Sequence, residues 1–183
     1  MATSLKAYNK TSLNFSFTDS NTQSRNNATS SVSSNYTYGT GSFKAEAGVY
    51  LTGLLPSGGS VEFDLTEMSE DFFGVSGEVL YSGVKFVGLA NTSIVNTGIW
   101  PALTGTNTPT VETFDMTITA TGLNGLSGLF NENSGNIMVK PYSTFSYNDP
   151  YSGVRTSPLN KKIQVNDMGS GAMYSLTILG SLQ

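Results

Sequence analysis

Acid–base or metal chemistry in this chain would have to come from carboxylates, because its 183 residues include no histidine and no cysteine. Those two residue types supply the commonest general base, the thiolate nucleophile and the usual zinc ligands. The densest group of carboxylates is an acidic run formed by Glu62, Asp64, Glu67, Glu70 and Asp71. This run is therefore the first candidate for a catalytic or cation-binding site.

Three interpretations of the acidic run compete. Two of its carboxylates could act on a glycosidic bond if they lay roughly 5–10 Å apart across a sugar cleft, and carboxylate oxygens are also ligands for calcium. Glu62 and Asp64, however, alternate with apolar residues, a pattern typical of the solvent face of a strand. We expect the run to serve solubility, and the sequence predicts no catalytic residue, no cofactor and no resident metal, so we expect a protein that is not an enzyme.

Two further motifs imitate functional sites. Residues 148–153 (NDPYSG) contain an Asn, an Asp, a Pro and a Gly in close succession, which is the chemistry of a tight turn. The triplet Gly169-Ser170-Gly171 is similar to a phosphate-binding loop, yet a strand-like segment follows it where a helix would be required. Both motifs are predicted to be turns.

Aromatic side chains are the remaining candidates for recognition. Exposed rings beside turns can stack on sugars or anchor a protein interface, whereas Trp100, next to Pro101, is expected to fill the core. Tyr147 and Tyr151 flank the polar turn at residues 148–153. The predicted interface residues are Phe15, Phe17, Tyr36, Tyr38, Tyr147 and Tyr151.

The elements that must position these residues are β-strands. Apolar residues recur at every second position in the stretch that contains Phe43, Ala45, Ala47, Val49 and Leu51. The same alternation recurs in residues 13–17, 61–65, 84–86, 114–120, 137–139, 163–165 and 174–178. Segments rich in Gly, Pro, Asn and Ser separate them, and the only helix candidate is a turn within residues 65–73. About eight to ten strands of this kind predict an all-β fold, a two-sheet antiparallel sandwich that is jelly-roll-like.

The N-terminal region differs from the rest. Residues 19–35 are polar except for Ala28 and Val32, so they cannot anchor themselves in a core. They form either a long exposed loop or part of a mobile arm, and an arm that lies on a neighbouring subunit is favoured because structureless loops of this length are uncommon. The predicted division is residues 1–40, an N-terminal strand with a flexible polar arm, and residues 41–183, the β-sandwich domain.

The charge composition limits the partners. Charged residues make up 12% of the chain and the net charge is -4, so there is no basic patch for nucleic acid. The only paired basic residues, Lys161 and Lys162, are expected to be solvated. Residues 1–10 lack the apolar core of a signal peptide and no later segment is apolar enough to span a bilayer, so we expect a cytosolic chain that binds neither nucleic acid nor membrane.

Residues 60–91 and 136–180 resemble a layout found among small structural proteins of tailed bacteriophages. The motifs that carry the resemblance are residues 60–66, 83–91, 137–141, 162–167 and 169–180. The resemblance implies a virion component, first a capsid decoration or cement protein, with a tail- or fibre-associated receptor- or carbohydrate-binding sandwich as the alternative. A cement protein would be assembled in the host cytoplasm, with copies of itself, as a homotrimer, and the major capsid protein as its partners.

Overall fold

The structure is a computed structural model, and it describes residues 6–18, 25–68, 80–93, 114–120, 125–130 and 135–183. Within these ranges the chain forms β-strands and one 3-10 turn at Ser127–Leu129, with no α-helix. The strands are β1 (Lys6–Thr18), β2 (Arg25–Tyr38), β3 (Lys44–Ala45), β4 (Ala47–Leu55), β5 (Ser60–Asp64), β6 (Tyr81–Asn91), β7 (Met116–Thr119), β8 (Asn136–Val139), β9 (Thr144–Asn148), β10 (Val154–Arg155), β11 (Lys162–Asp167) and β12 (Ala172–Leu182).

Two antiparallel sheets pack against each other, which confirms the predicted sandwich. The five-stranded sheet has the order β10-β6-β12-β4, and β9 pairs with the same edge of β6 as β10 does. The four-stranded sheet has the order β5-β11-β7-β8. The chain changes sheet at most of its connections, for example from β4 to β5 and from β11 to β12, which is the behaviour of a jelly roll.

The interior between the sheets follows from the two-residue alternation. Phe63 of the four-stranded sheet meets Tyr174 of the five-stranded sheet edge to face, with ring centroids 6.0 Å apart. Burial of such apolar side chains is the main favourable term of folding. The fully buried residues of this core include Val49, Leu65, Val87, Leu89, Met116, Ile118, Ile163, Val165, Leu176 and Ile178.

A buried carboxylate joins two of the connections between the sheets. Oδ2 of Asp167 accepts hydrogen bonds from the backbone N–H groups of Gly58 at 2.8 Å, Gly169 at 3.0 Å and Gly171 at 3.2 Å. Gly58 lies in the β4–β5 turn, and the other two glycines lie in the β11–β12 turn. Several backbone donors stabilise a negative charge without a cation, so Asp167 holds both crossovers together at one end of the sandwich.

A β-bulge interrupts the alternation of β6. Gly180 of β12 pairs with Val84 and Leu179 pairs with Phe86, so Lys85 has no partner on β12. A bulge inserts one residue and changes the face to which the next side chains point. Phe86, predicted to share the inward face of Val84, instead packs half-buried against the outer cluster of Tyr36, Ala45 and Leu179.

The N-terminal residues form a long β-hairpin. β1 and β2 pair antiparallel from Lys6↔Thr37 to Thr18↔Arg25, and the end of β2 pairs parallel with β3. The polar segment 19–35, expected to lack regular structure, is therefore strand from Arg25 onward, because backbone pairing with β1 satisfies its hydrogen bonds whatever its side chains are. Residues 19–24 lie outside the described residues.

Some other predictions need similar correction. Ile137, expected to point inward, is 38% exposed, since β8 is an edge strand of its sheet. Phe43, placed by the alternation on the buried face, has a positive φ of 56° and is 39% exposed. The helix candidate 65–73 is a turn as far as Met68, and the rest of it and Trp100 lie outside the described residues.

Gly180 is the position at which the bulged pair of strands tolerates no side chain. A Cβ there would overlap the carbonyl oxygen of Gly83 and lie 2.7 Å from Cδ1 of Tyr81. We expect Gly180→Ala to lower the free energy of unfolding by about 1–3 kcal/mol through overpacking. Gly83→Ala is the matched control, because its Cβ would meet nothing closer than 3.8 Å. Urea denaturation of both variants checks this, and equal midpoints would contradict it.

Candidate functional site

The predicted interface tyrosines converge on the base of the hairpin. Tyr36 and Tyr38 end β2, Tyr147 lies on β9, and Tyr151 lies in the turn that follows β9. We call this region, residues 36–45 together with Lys85 and residues 147–151, the hairpin anchor. Phe15 and Phe17 lie farther out on β1, opposite Ala28 and Asn26.

Tyr36 is an internal residue of the anchor and not a surface residue. Its side chain is 1% exposed and packs against Ala45, Leu179 and Phe86 on the outer face of the five-stranded sheet. Its hydroxyl lies 3.2 Å from the carbonyl oxygen of Lys85 and also contacts the side-chain amide of Asn148. The prediction that Tyr36 offers a surface to a partner is therefore wrong for this structure, because the ring is already covered by its own sheet.

The environment of Tyr36 favours its neutral form. Burial, followed by the nearby Asp149 carboxylate and then Tyr147, raises the pKa of Tyr36 from 10.0 to about 12. Burial, and after it Asp149, also raises the pKa of Tyr147. A buried phenol that ionises loses the solvation of its charge, so the anchor is assembled around uncharged tyrosines.

Lys85 supplies the second half of the anchor. The bulge places this residue at 3% exposure, and its Nζ donates to the carbonyl oxygens of Gly41 at 2.6 Å and Lys44 at 2.8 Å. Hydrogen bonds from a charged donor are about twice as strong as neutral ones. The ammonium therefore ties the β2–β3 turn to β6, while the carbonyl group of the same residue receives Tyr36.

Sequence reasoning missed Lys85, although the signal was present. It stands in the otherwise apolar stretch Gly83-Val84-Lys85-Phe86-Val87, where a charged side chain has to be either exposed by alternation or buried with partners. The three residues 83–85 are all buried. A single lysine in an apolar strand therefore indicated a buried charge with partners, and this residue is the site of both the bulge and the anchor.

An aromatic pair closes the anchor on its solvent side. The rings of Phe43 and Tyr151 meet edge to face with centroids 5.2 Å apart, and the N–H of Phe43 donates to the carbonyl of Pro150 at 2.7 Å. Tyr151 is 66% exposed and Tyr38 is 47% exposed, so both keep surface available to a partner. Tyr147 is half-buried against the sandwich core.

The turn at residues 149–153 is held by its own carboxylate. Asp149 accepts hydrogen bonds from the N–H groups of Tyr151 at 3.0 Å and Ser152 at 3.3 Å, and from the Ser152 hydroxyl at 3.1 Å. Partial burial raises the pKa of Asp149, but these hydrogen bonds outweigh it and hold the pKa below its usual value. The predicted tight turn is confirmed, and it presents Tyr151 beside Phe43.

The hairpin has two chemically different faces. In an antiparallel pair, directly opposite residues share a face, so the register assigns each residue of β1 and β2 to one of two faces. Lys6, Lys10 and Arg25 fall on one face together with Tyr8 and with Ser, Thr and Asn residues. The other face, which we call the apolar face, contains Ala7, Leu13, Phe15, Phe17, Ala28, Val32 and Tyr36, interspersed with Asn9, Thr11, Asn26, Ser30 and Ser34. Tyr36, the anchored residue, therefore lies on the same face of the hairpin as Phe15 and Phe17.

Glu62 and Asp64, two carboxylates of the acidic run, form ion pairs. Oε1 of Glu62 lies 2.6 Å from Nζ of Lys162, and Oδ2 of Asp64 lies 2.7 Å from Nζ of Lys161. Partial burial raises the pKa of Asp64, but hydrogen bonds from Lys161 and Thr66 outweigh it and lower the pKa. Both carboxylates lie on the solvent side of Phe63, as the alternation predicted. Glu70 and Asp71 fall outside the described residues.

Neither a metal cluster nor a membrane span occurs in the part of the chain that the structure describes. Its His, Cys, Asp and Glu residues form no group of three placed to hold a metal ion. No helix in the same ranges has the length and apolar character to cross a bilayer. Compared with models of protein families and with curated proteins, the sequence matches none.

The raised pKa of Tyr36 gives an alkaline prediction. The Tyr36 hydroxyl ionises near pH 10 in the unfolded chain but only near pH 12 in the folded protein. Ionisation therefore favours the unfolded state, and the free energy of unfolding falls as the pH rises from 10 towards 12. We expect Tyr36→Phe to be less stable than wild type at pH 8, since it loses the hydroxyl contacts, and to lose less further stability by pH 11.5. Tyr50→Phe, at a residue 49% exposed, is the control. Urea midpoints at the two pH values check this, and an unchanged alkaline loss in Tyr36→Phe would refute it.

Removal of the Lys85 ammonium should loosen the β2–β3 turn. Lys85→Met keeps the chain length but leaves two carbonyl groups without their charged donor, which costs about 2–4 kcal/mol in unfolding free energy. Lys140→Met is the matched control, because the Lys140 side chain is 63% exposed and pairs with Asp115 at the surface. Amide hydrogen exchange of residues 39–45 should rise in the first variant only, and equal exchange in both would argue against the anchor.

Proposed function

We propose that this protein is a virion structural protein, most specifically a capsid decoration or cement protein that acts as a homotrimer on the major capsid protein. Its role is not catalytic, and it involves no cofactor, nucleic acid or membrane. The observation that supports this proposal is the anchored hairpin, whose base is fixed to the sandwich by Tyr36 and Lys85 and which can serve as a contact element.

The physical case begins with the instability of a two-stranded ribbon. An isolated hairpin is at best marginally stable in water, and stability requires a further strand or a surface against its apolar face. β1 pairs only with β2 in the described part of the chain. Since the anchor fixes the base of the hairpin, a partner that covers its apolar face gains contact area without the entropic cost of ordering the whole arm.

The sandwich surface suits a protein that works by contact. Charged residues make up 12% of the chain, so Ser, Thr, Asn and Gly provide most polar positions. Neutral hydroxyl and amide groups form the wet, hydrogen-bonded rim of protein interfaces, around a more apolar centre. A cement protein needs these properties, because it stabilises a shell by burying surface across the seams between capsomers.

A second candidate function has its own observation. Phe43 and Tyr151 form an exposed aromatic pair, and Tyr142 nearby in sequence is 71% exposed. Exposed rings of this kind stack on sugar faces. The alternative is therefore a tail- or fibre-associated receptor- or carbohydrate-binding sandwich.

The test is to locate the chain on particles from its source and to change the hairpin. Electron cryomicroscopy should show many copies over the head. The double variant Phe15→Ser/Phe17→Ser should lower occupancy about tenfold or more, because it removes two large apolar groups from the contact. Ser16→Ala, on the opposite face between them, should keep full occupancy.

Absence of the chain from particles, or normal occupancy by the double variant, would overturn the cement proposal. Copies confined to the tail tip would favour the alternative, and glycan binding that is lost in Tyr151→Ala would then identify the aromatic pair as its site.

A further inference from the structure

A second apolar surface lies at the end of the five-stranded sheet that is remote from the hairpin. Leu54 of β4 and Met173 of β12 are register partners on the outer face of this sheet. With Leu55, Pro56 and Phe114, and with three serines and a glycine at positions 57, 93, 170 and 171, they line a cleft of ≈ 290 Å³. Leu54 is 72% exposed and Met173 is 47% exposed. We call this the Leu54–Met173 cleft.

The hairpin anchor lies away from this cleft. The anchor covers Leu179 near the end of β12, six residues from Met173, which is about 20 Å along a strand. Between them Tyr50, also on the outer face, remains 49% exposed. The hairpin anchor and the cleft therefore lie towards opposite ends of β12, and neither β1 nor β2 pairs with β4 or β12 in the described residues.

Charge is segregated in the same way. The hairpin strands carry Lys6, Lys10 and Arg25 and no carboxylate. After residue 40 the chain carries twelve acidic and six basic residues. A basic hairpin and an acidic sandwich attract each other at long range, and this attraction steers the approach of two copies of the chain.

We propose that the apolar face of the hairpin docks in the Leu54–Met173 cleft of a second copy of this chain. The inference rests on the proposed function, in which the protein acts as a homotrimer and the hairpin is its contact element, and it names both the partner of the hairpin and the surface that receives it. The two contact surfaces differ, so the interface is heterologous, and repetition of it from copy to copy closes a ring when the rotation allows. A homotrimer is one such ring.

Two variants separate the donor from the acceptor surface. Phe15→Asp damages the hairpin face and Leu54→Asp damages the cleft, and each should raise the dissociation constant of the oligomer about tenfold or more. Sedimentation velocity over a concentration series should show wild type as an oligomer and each variant near the monomer mass of 19.4 kDa.

Two control variants place the same charge elsewhere. Ser16→Asp places it on the other face of the hairpin, and Thr52→Asp places it on an exposed position of β4 outside the cleft, so both should remain oligomeric. Circular dichroism confirms that each variant is folded, and Phe17→Ser replaces Phe15→Asp if that variant does not fold.

Mixing the two variants gives the decisive result. Leu54→Asp keeps an intact hairpin and Phe15→Asp keeps an intact cleft, so the mixture should form a 1:1 complex although each variant alone is monomeric. A Leu54→Asp variant that keeps the wild-type oligomer, a mixture that does not associate, or a wild-type chain that is monomeric throughout would each overturn the inference. A monomeric wild-type chain that still decorates particles would leave the cement proposal standing, whereas an oligomer absent from particles would reject the cement proposal alone.

Discussion

The structure depends on how a two-stranded ribbon is attached to a sandwich in a chain with only 12% charged residues. The attachment is made by Lys85, the residue that the β-bulge inserts into β6. The bulge at Lys85 turns one backbone carbonyl towards the Tyr36 hydroxyl and sends one ammonium to the carbonyls of Gly41 and Lys44. Because the same residue serves both contacts, the end of β2 and the following turn are fixed together on the sheet.

A second buried charged residue, Asp167, bonds to backbone groups at the opposite end of the sandwich. Asp167 has no cation beside it in the described residues and uses three backbone N–H groups from two turns. Isolated buried charges are unfavourable unless hydrogen bonds replace the lost water. In both places a single buried charged side chain forms hydrogen bonds with the backbone of a turn that is distant from it in sequence.

The regular parts of the fold could be predicted from the sequence because alternation and burial agree there. β5, β11 and β12 carry their apolar residues at every second position, and Phe63, Ile163, Val165, Leu176 and Ile178 are buried as predicted. The turns at residues 56–59 and 167–171 were likewise marked by Gly and Pro. Within the predicted interface set, the clustering of Tyr36, Tyr147 and Tyr151 follows from strand pairings distant in sequence, which a local pattern does not contain. The polar strand β2 could not be predicted either, since its hydrogen-bond partner is β1 and not a property of its own residues.

The route by which the ribbon joins the sandwich has a mechanical consequence. In the described residues β1 reaches the sandwich only through β2, and β2 continues into β3 by a parallel pairing closed by the bonds Thr37 N–H to Phe43 O and Gly39 N–H to Ala45 O, each 3.1 Å long. A tensile load along the ribbon would therefore act on these bonds and on the Tyr36 contacts in shear, so that they resist together instead of peeling apart one by one. The base of the ribbon is thus arranged to transmit force.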